Sequence, residues 1–249
     1  MKSSVIIRLV ATAFLLSSSA AYAEEKSEYS IGMAYVGGDS IYSNVKSTSA
    51  VMPSISYKSD TLSISFQEGF AYNFFDVGKT AVSASITPKF RPYKSSDSPN
   101  LTGMTRDMYV DGSLKASYEV SRGLTAKLKL ETELTNKFNG HSLDISISQF
   151  IPIFGQPLIL QTGAKWYDTK RTNYLYGVNA SEVTAQRAEY TPGSALLPYI
   201  SASTFYSLTN QTSLFANVNI NLLPRNVVDS LIVDRNSVVL TVLGLNYSF

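Results

Sequence analysis

The chain holds one histidine, His141, with Ser142 beside it and Asp144 two residues further on. A lipase built on Ser and His, or a protease built on Asp and His, needs an imidazole as its base, so either chemistry has to run through His141. Adjacent side chains of a strand point to opposite faces, so His141 and Ser142 cannot pair directly. No motif nominates a partner from elsewhere, and the expectation is a chain with no catalytic residues. Metal chemistry has little to work with: there is no cysteine. Asp229, Asp234, Glu182 and Glu189 lack EF-hand spacing, and a Ca²⁺ site asks for about six or more oxygens. No metal and no cofactor are expected.

Two segments carry residues suited to contact rather than catalysis. Residues 168–193 hold Tyr174, Tyr176, Tyr190, Lys170, Arg171, Arg187, Glu182 and Glu189. Mixed charges with tyrosines make an adaptable contact surface, and long loops are often functional; the other reading is a lid folded into a barrel mouth. Residues 223–236 add Asp229, Ser230 and Arg235. The candidate partner-contact residues are Tyr174, Tyr176, Arg187, Tyr190, Asp229, Ser230 and Arg235.

The elements that position these residues read as strands. Period-two alternation runs along almost the whole sequence after residue 28. Tyr29, Ile31, Met33 and Tyr35 form one apolar face, and Leu124, Ala126, Leu128 and Leu130 another. Phe70, Tyr72 and Phe74, and then Leu143, Ile145, Ile147 and Ile151, continue the pattern. The partner positions are mostly Ser, Thr, Asn, Lys, Gln and Glu, which is the apolar-out, polar-in wall of a transmembrane β-barrel. The last strand places Val239, Thr241, Leu243, Leu245, Tyr247 and Phe249 on one face. Leu243, Leu245, Tyr247 and Phe249 resemble the signal read by the outer-membrane barrel assembly machinery, which makes that machinery an expected partner. Outer-membrane lipid and lipopolysaccharide are the expected surroundings of the wall.

Residues 1–23 have the basic Lys2 and Arg8, the apolar run Leu9 to Leu16 and the small-residue end Ala21-Tyr22-Ala23, as a secretory signal peptide does. Cleavage is expected before Glu24, leaving a single barrel domain over 24–249 exported through the general secretory pathway to a Gram-negative outer membrane. Without Lys2 and Arg8 the 21 basic residues fall to 19, equal to the 19 acidic ones. A neutral chain argues against nucleic acid, which asks for a concentrated basic surface. No segment of the mature chain reaches the about 18 apolar residues of a transmembrane helix. A soluble β-sandwich shares this composition, but its strands average about 5–6 residues, whereas barrel strands need about 9–11.

Connection lengths give the topology. Short turns fall at 58–61, 75–79, 121–123, 153–157 and 208–211. Long connections fall at 38–49, 93–106, 168–193 and 223–236, with a shorter one near 136–141. The alternation holds throughout if Gln67-Glu68-Gly69 is a tight outer turn. Twelve strands follow, the third and fourth short; ten is the other count considered. The inward charges Lys115, Lys127, Lys129, Glu131 and Lys165 would line the lumen of a solute channel.

The segment Tyr176-Gly177-Val178, the stretch Asn179 to Ala188 and Tyr190 resemble the MltA-interacting protein (MipA)/OmpV family. So do Leu222-Leu223, Val228-Asp229-Ser230-Leu231-Ile232-Val233, Arg235 and the ending Gly244-Leu245-Asn246-Tyr247-Ser248-Phe249. Leu231 stands where that family usually has Pro. The resemblance implies a non-enzymatic outer-membrane barrel. It implies a scaffold role joining a murein hydrolase to a murein synthase, or surface adhesion, with a porin-like channel as the alternative.

Overall fold

The computed structural model describes residues 27–65, 68–153 and 155–249. The expected signal peptide lies outside the described residues. Twelve antiparallel strands close into one barrel: β1 (Glu28–Gly38), β2 (Thr48–Lys58), β3 (Leu62–Ser65), β4 (Gly69–Val77), β5 (Thr80–Lys89), β6 (Tyr109–Ser121), β7 (Leu124–Glu133), β8 (His141–Ile153), β9 (Gln156–Tyr167), β10 (Ala195–Ser207), β11 (Thr212–Leu222) and β12 (Ser237–Ser248). Each strand pairs with its sequence neighbour, and β1 pairs with β12 from Ser30↔Ser248 to Gly38↔Leu240. Phe249 N–H donates to Tyr29 O at 3.0 Å, extending that closure.

The expected alternation is the wall. Tyr29, Ile31, Met33, Tyr35, Leu128, Leu130, Ile145, Ile147, Leu243 and Leu245 are exposed on the outside, where hydrocarbon replaces water. Ser142, Ser146 and Ser148 are buried on the inner face of β8. Beyond Asn73 the expected alternation slips. A register shift between Asn73 and Phe75 puts Phe75 opposite Val82, and Phe74 packs edge-on against Tyr72 at 5.4 Å. A bulge of this kind leaves one extra residue unpaired and turns two neighbours to the same side.

Short turns sit at one end with the start of β1 and the end of β12, and the long connections gather at the other. Gly123 (φ +77°) shows how the short turns are made, since a left-handed backbone favours glycine. At the long-loop end, 168–194 starts with the helix α1 (Thr169–Tyr176), capped by Asp168, whose carboxylate accepts from Arg171 N–H at 2.7 Å. Residues 223–236 hold a single turn, α2 (Arg225–Val228). The hydrophobic core of the molecule lies here rather than between the strands. Tyr42, Tyr93, Leu101, Met104, Tyr176, Val178, Ala195, Leu197, Leu223, Val227, Ile232 and Val233 form one buried cluster, drawn mostly from four loops and completed by Ala195 and Leu197 at the start of β10.

Candidate functional site

The loop cluster is a lid over the outer mouth, and buried ionic contacts fasten it to the wall. Arg171 reaches from α1 to Asp111 on the inner face of β6, with bidentate contacts of 2.8 and 3.0 Å. Asp111 is 0% exposed and Arg171 2%. The guanidinium also lies 5.4–5.9 Å from the ring centroids of Phe138, Tyr167 and Tyr109. A planar, always-charged group that takes two parallel hydrogen bonds and stacks on rings is what arginine supplies and lysine does not. Removing Asp111 would strand the buried guanidinium, and removing Arg171 would leave the buried carboxylate only Lys89 at 3.9 Å, which ties the lid's position to the wall.

A second arginine holds the loops to one another. Arg106, 3% exposed, meets both carboxylate oxygens of Glu182 and donates to Tyr174 O at 2.6 Å and Gly177 O at 3.3 Å. It lies between the rings of Tyr93 and Tyr174, 5.6 and 5.5 Å from their centroids. Burial by itself raises the Glu182 carboxyl; the bonds from Arg106 and the Asn179 N–H outweigh it and hold the group below the usual carboxylate range. Burial pushes the phenols of Tyr42 and Tyr176 far above their ordinary value, and the Tyr42 hydroxyl donates to Leu175 O at 3.2 Å.

The seven candidate contact residues divide by burial. Tyr176, Arg187 and Ser230 are inside the lid. Ser230 Oγ donates to Tyr176 O at 2.6 Å, joining the two long loops. Arg187 donates to the carbonyls of Asn100, Thr102 and Glu182. Tyr174 and Tyr190 are half-buried, their hydroxyls donating to Asp107 O and Asn226 O at 2.9 and 2.8 Å. Asp229 and Arg235 are exposed, and Arg235 pairs with Asp39 at 3.6 Å. Sequence reasoning missed Arg106, Asp107, Asp111 and Phe138, because each gains its role from a segment about 25–75 residues away and none lies in a motif. An arginine and an aspartate at outer strand ends were the available signal.

His141 stands apart from Ser142 and Asp144. It faces outward and its Nδ1 lies 2.8 Å from Thr132 Oγ1. Ser142 faces the lumen and donates to Glu131 at 3.1 Å. Asp144, also inward, accepts from Tyr199 at 3.0 Å. The three residues share no site. Among the described residues no group of His, Asp or Glu is arranged to hold a metal ion.

Below the lid the lumen has two unlike halves. On β6 and β7, Lys115 stands directly opposite Lys129, with Lys127 one step nearer the short-turn end. Glu68 contacts Lys115 and Glu131 contacts Lys129, both at 2.9 Å. A cavity of about 10 Å³, the size of one water, lies among Glu68, Ser85, Ser113, Lys115 and Lys129. Across the lumen, Val36, Met52, Leu240 and Val242 face inward from β1, β2 and β12. Near the short-turn end Phe215 lies over Gly244, where a Cβ would come within 1.8 Å of the ring.

Comparison with known proteins places this architecture. The family model described as MltA-interacting protein MipA matches residues 31–249. The Escherichia coli (strain K12) protein YiaT, named as an outer membrane protein, is 27% identical over 247 residues, covering 98% of each chain. The MltA-interacting protein of the same strain is 22% identical over 246 residues, covering 98% of this chain and 99% of its own. Among solved structures, an outer membrane channel from Pseudomonas putida F1 covers 94% of this chain and 98% of its own, with 13% identity and a TM-score of 0.45.

Proposed function

The chain belongs to the MltA-interacting protein MipA family and is an outer-membrane β-barrel, and from that premise we propose that it is a non-enzymatic structural and interaction protein, closed at its outer mouth. The observation that carries this reading is the lid: a buried apolar core, with the Arg171–Asp111 pair tying it to the wall. A pore that passes solutes has no use for a mouth filled to that degree. The absence of catalysis belongs to the same reading and is supported by the outward turn of His141, away from Ser142 and Asp144.

One relative is by its name an interaction partner of MltA. We carry that over as the partner class, a murein hydrolase or synthase met at the short-turn end, with adhesion to a surface as the use of the outer loops. The exposed part of the lid, including Asp229, Leu231 and Arg235, faces outward and is the contact surface for adhesion.

The deciding experiment is single-channel recording of the refolded barrel in a planar bilayer. A folded, silent barrel is expected. Steady and reproducible conductance steps would overturn the closed reading and make the lysine-bearing lumen a porin-like path for small solutes.

A further inference from the structure

The barrel wall is incomplete on one side. β3 ends at Ser65 and β4 begins at Gly69, while β2 and β5 continue well beyond them toward the lid. β2 pairs with β3 through Tyr57↔Ile64 and Lys58↔Ser63 alone among the described residues, although its other edge pairs with β1 along its full length, up to Thr48. From Ser56 to Thr48 no strand pairs with that edge among the described residues. β5 likewise outruns β4, whose last pairing with it toward the lid is Phe70↔Ile86. At the top of the short hairpin β2 and β5 stand three strand spacings apart, about 14 Å at ~4.8 Å each. Above the gap the lid bridges across: Asn100 Nδ2 donates to Ser43 Oγ at 2.8 Å, and the rings of Tyr42 and Tyr93 meet at 4.6 Å. The result is a window in the side of the barrel, beneath a closed mouth.

The unpaired β2 edge offers N–H and C=O groups that a polar head group can bond as it crosses, which hydrocarbon alone cannot. What lies behind the opening indicates which head group. Glu68, at the lower margin, accepts from Thr87 Oγ1 through its carbonyl at 2.8 Å and from Lys115 Nζ through its carboxylate at 2.9 Å. The window therefore opens onto the lysine cluster. Lys115 and Lys129 directly opposite one another is a like-charge pairing that costs stability. Lys127 has no ion pair among the described residues. Facing these lysines is the apolar strip that includes Met52, Leu240 and Val242, with Leu240 39% exposed to the interior.

We propose that this opening is a lateral window through which an anionic amphiphile with an acyl chain enters the lumen from the surrounding leaflet. The head group is held by Lys127 and the Lys115–Lys129 pair, and the chain lies along the apolar strip. The entrant crosses the wall, not the mouth, so this inference goes beyond the interaction role and stands or falls separately from it.

The test uses the full-length refolded barrel, with dansyl-labelled undecanoic acid and its neutral methyl ester as probes. The acid is expected to bind with a blue-shifted emission and the ester far more weakly. Lys127→Gln should weaken the acid about tenfold, the loss of one charge-assisted hydrogen bond, with Lys127→Arg restoring it; heat-modified gel migration reports that each variant is folded. The route is read from rates. The chain has no cysteine, so Ser54→Cys can be labelled at the window with benzyl methanethiosulfonate. The label should slow uptake of the acid, and a reductant should restore it. Equal binding of acid and ester, or unchanged affinity in folded Lys127→Gln, overturns the site. Unchanged uptake by the labelled variant overturns the window.

Discussion

The lid and the wall use the same apolar side chains in opposite ways. In the lid, Leu101, Met104, Val178, Val227 and Ile232 are fully buried and water surrounds the outside. In the wall, Leu130, Ile145 and Leu243 are on the outside, while serines, lysines and carboxylates face inward. The lid is organised as a small soluble domain and the wall as its inverse, because the two ends of each strand meet different solvents. Charge follows the same rule. Arg171 and Arg106 are admitted to the lid's interior because each has a carboxylate partner and aromatic faces around it.

The largest break in this comparison comes from Arg171→Ala. It leaves the buried Asp111 with only Lys89 at 3.9 Å, at a cost of up to about 3–5 kcal/mol. The lid should become sensitive to protease while the wall stays folded, and conductance should appear in a planar bilayer. Next is a matched pair of truncations. Leu101→Ala opens a cavity in the lid at about 2–5 kcal/mol, whereas Leu130→Ala, facing lipid in the folded barrel, should cost much less; urea unfolding of both in vesicles measures the difference. The inverse pair sharpens it. Ile145→Arg on the lipid face should cost about 2–4 kcal/mol if that position lies near the midplane, and the same readout applies.

Acid should separate the two regions again. The Glu182 carboxyl is held below its ordinary value in the folded lid, so its contribution is present above the unfolded carboxylate pKa and is lost as pH falls through the folded one. Proteolysis of the lid is therefore expected to accelerate below the ordinary carboxylate range, ahead of any change in the wall. Arg235→Glu should move stability least, below about 1 kcal/mol, because its pair with Asp39 is solvent-exposed. If the exposed lid face is the adhesion surface, the same change should lower attachment of cells displaying the barrel to a protein-coated surface; unchanged attachment would remove Arg235 from it.

The wall was legible in the sequence because a strand between lipid and lumen must alternate, and alternation survives without any knowledge of the neighbours. The twelve strands, the short β3 and the position of every short turn follow from period two and connection length; β4, expected to be short as well, runs for nine residues because it continues against β5 beyond its pairing with β3. The strand registers fit period two except at the bulge after Asn73 and at the shift between Glu119 and Ser121, where a single extra residue leaves no compositional mark. The lid residues were legible as a group and not in their roles. Tyr176, Arg187 and Ser230 stand out as polar and aromatic residues of long loops, yet the structure uses them to join those loops together.

What the sequence determined by itself is the side each strand residue faces, since that depends only on parity along one chain. Which carboxylate Arg171 meets 60 residues away, how four loops form one core, and where β2 runs on without a partner depend on register and packing between distant segments. Those are decided only when the barrel closes, because closure sets which residues stand at the same height around the ring.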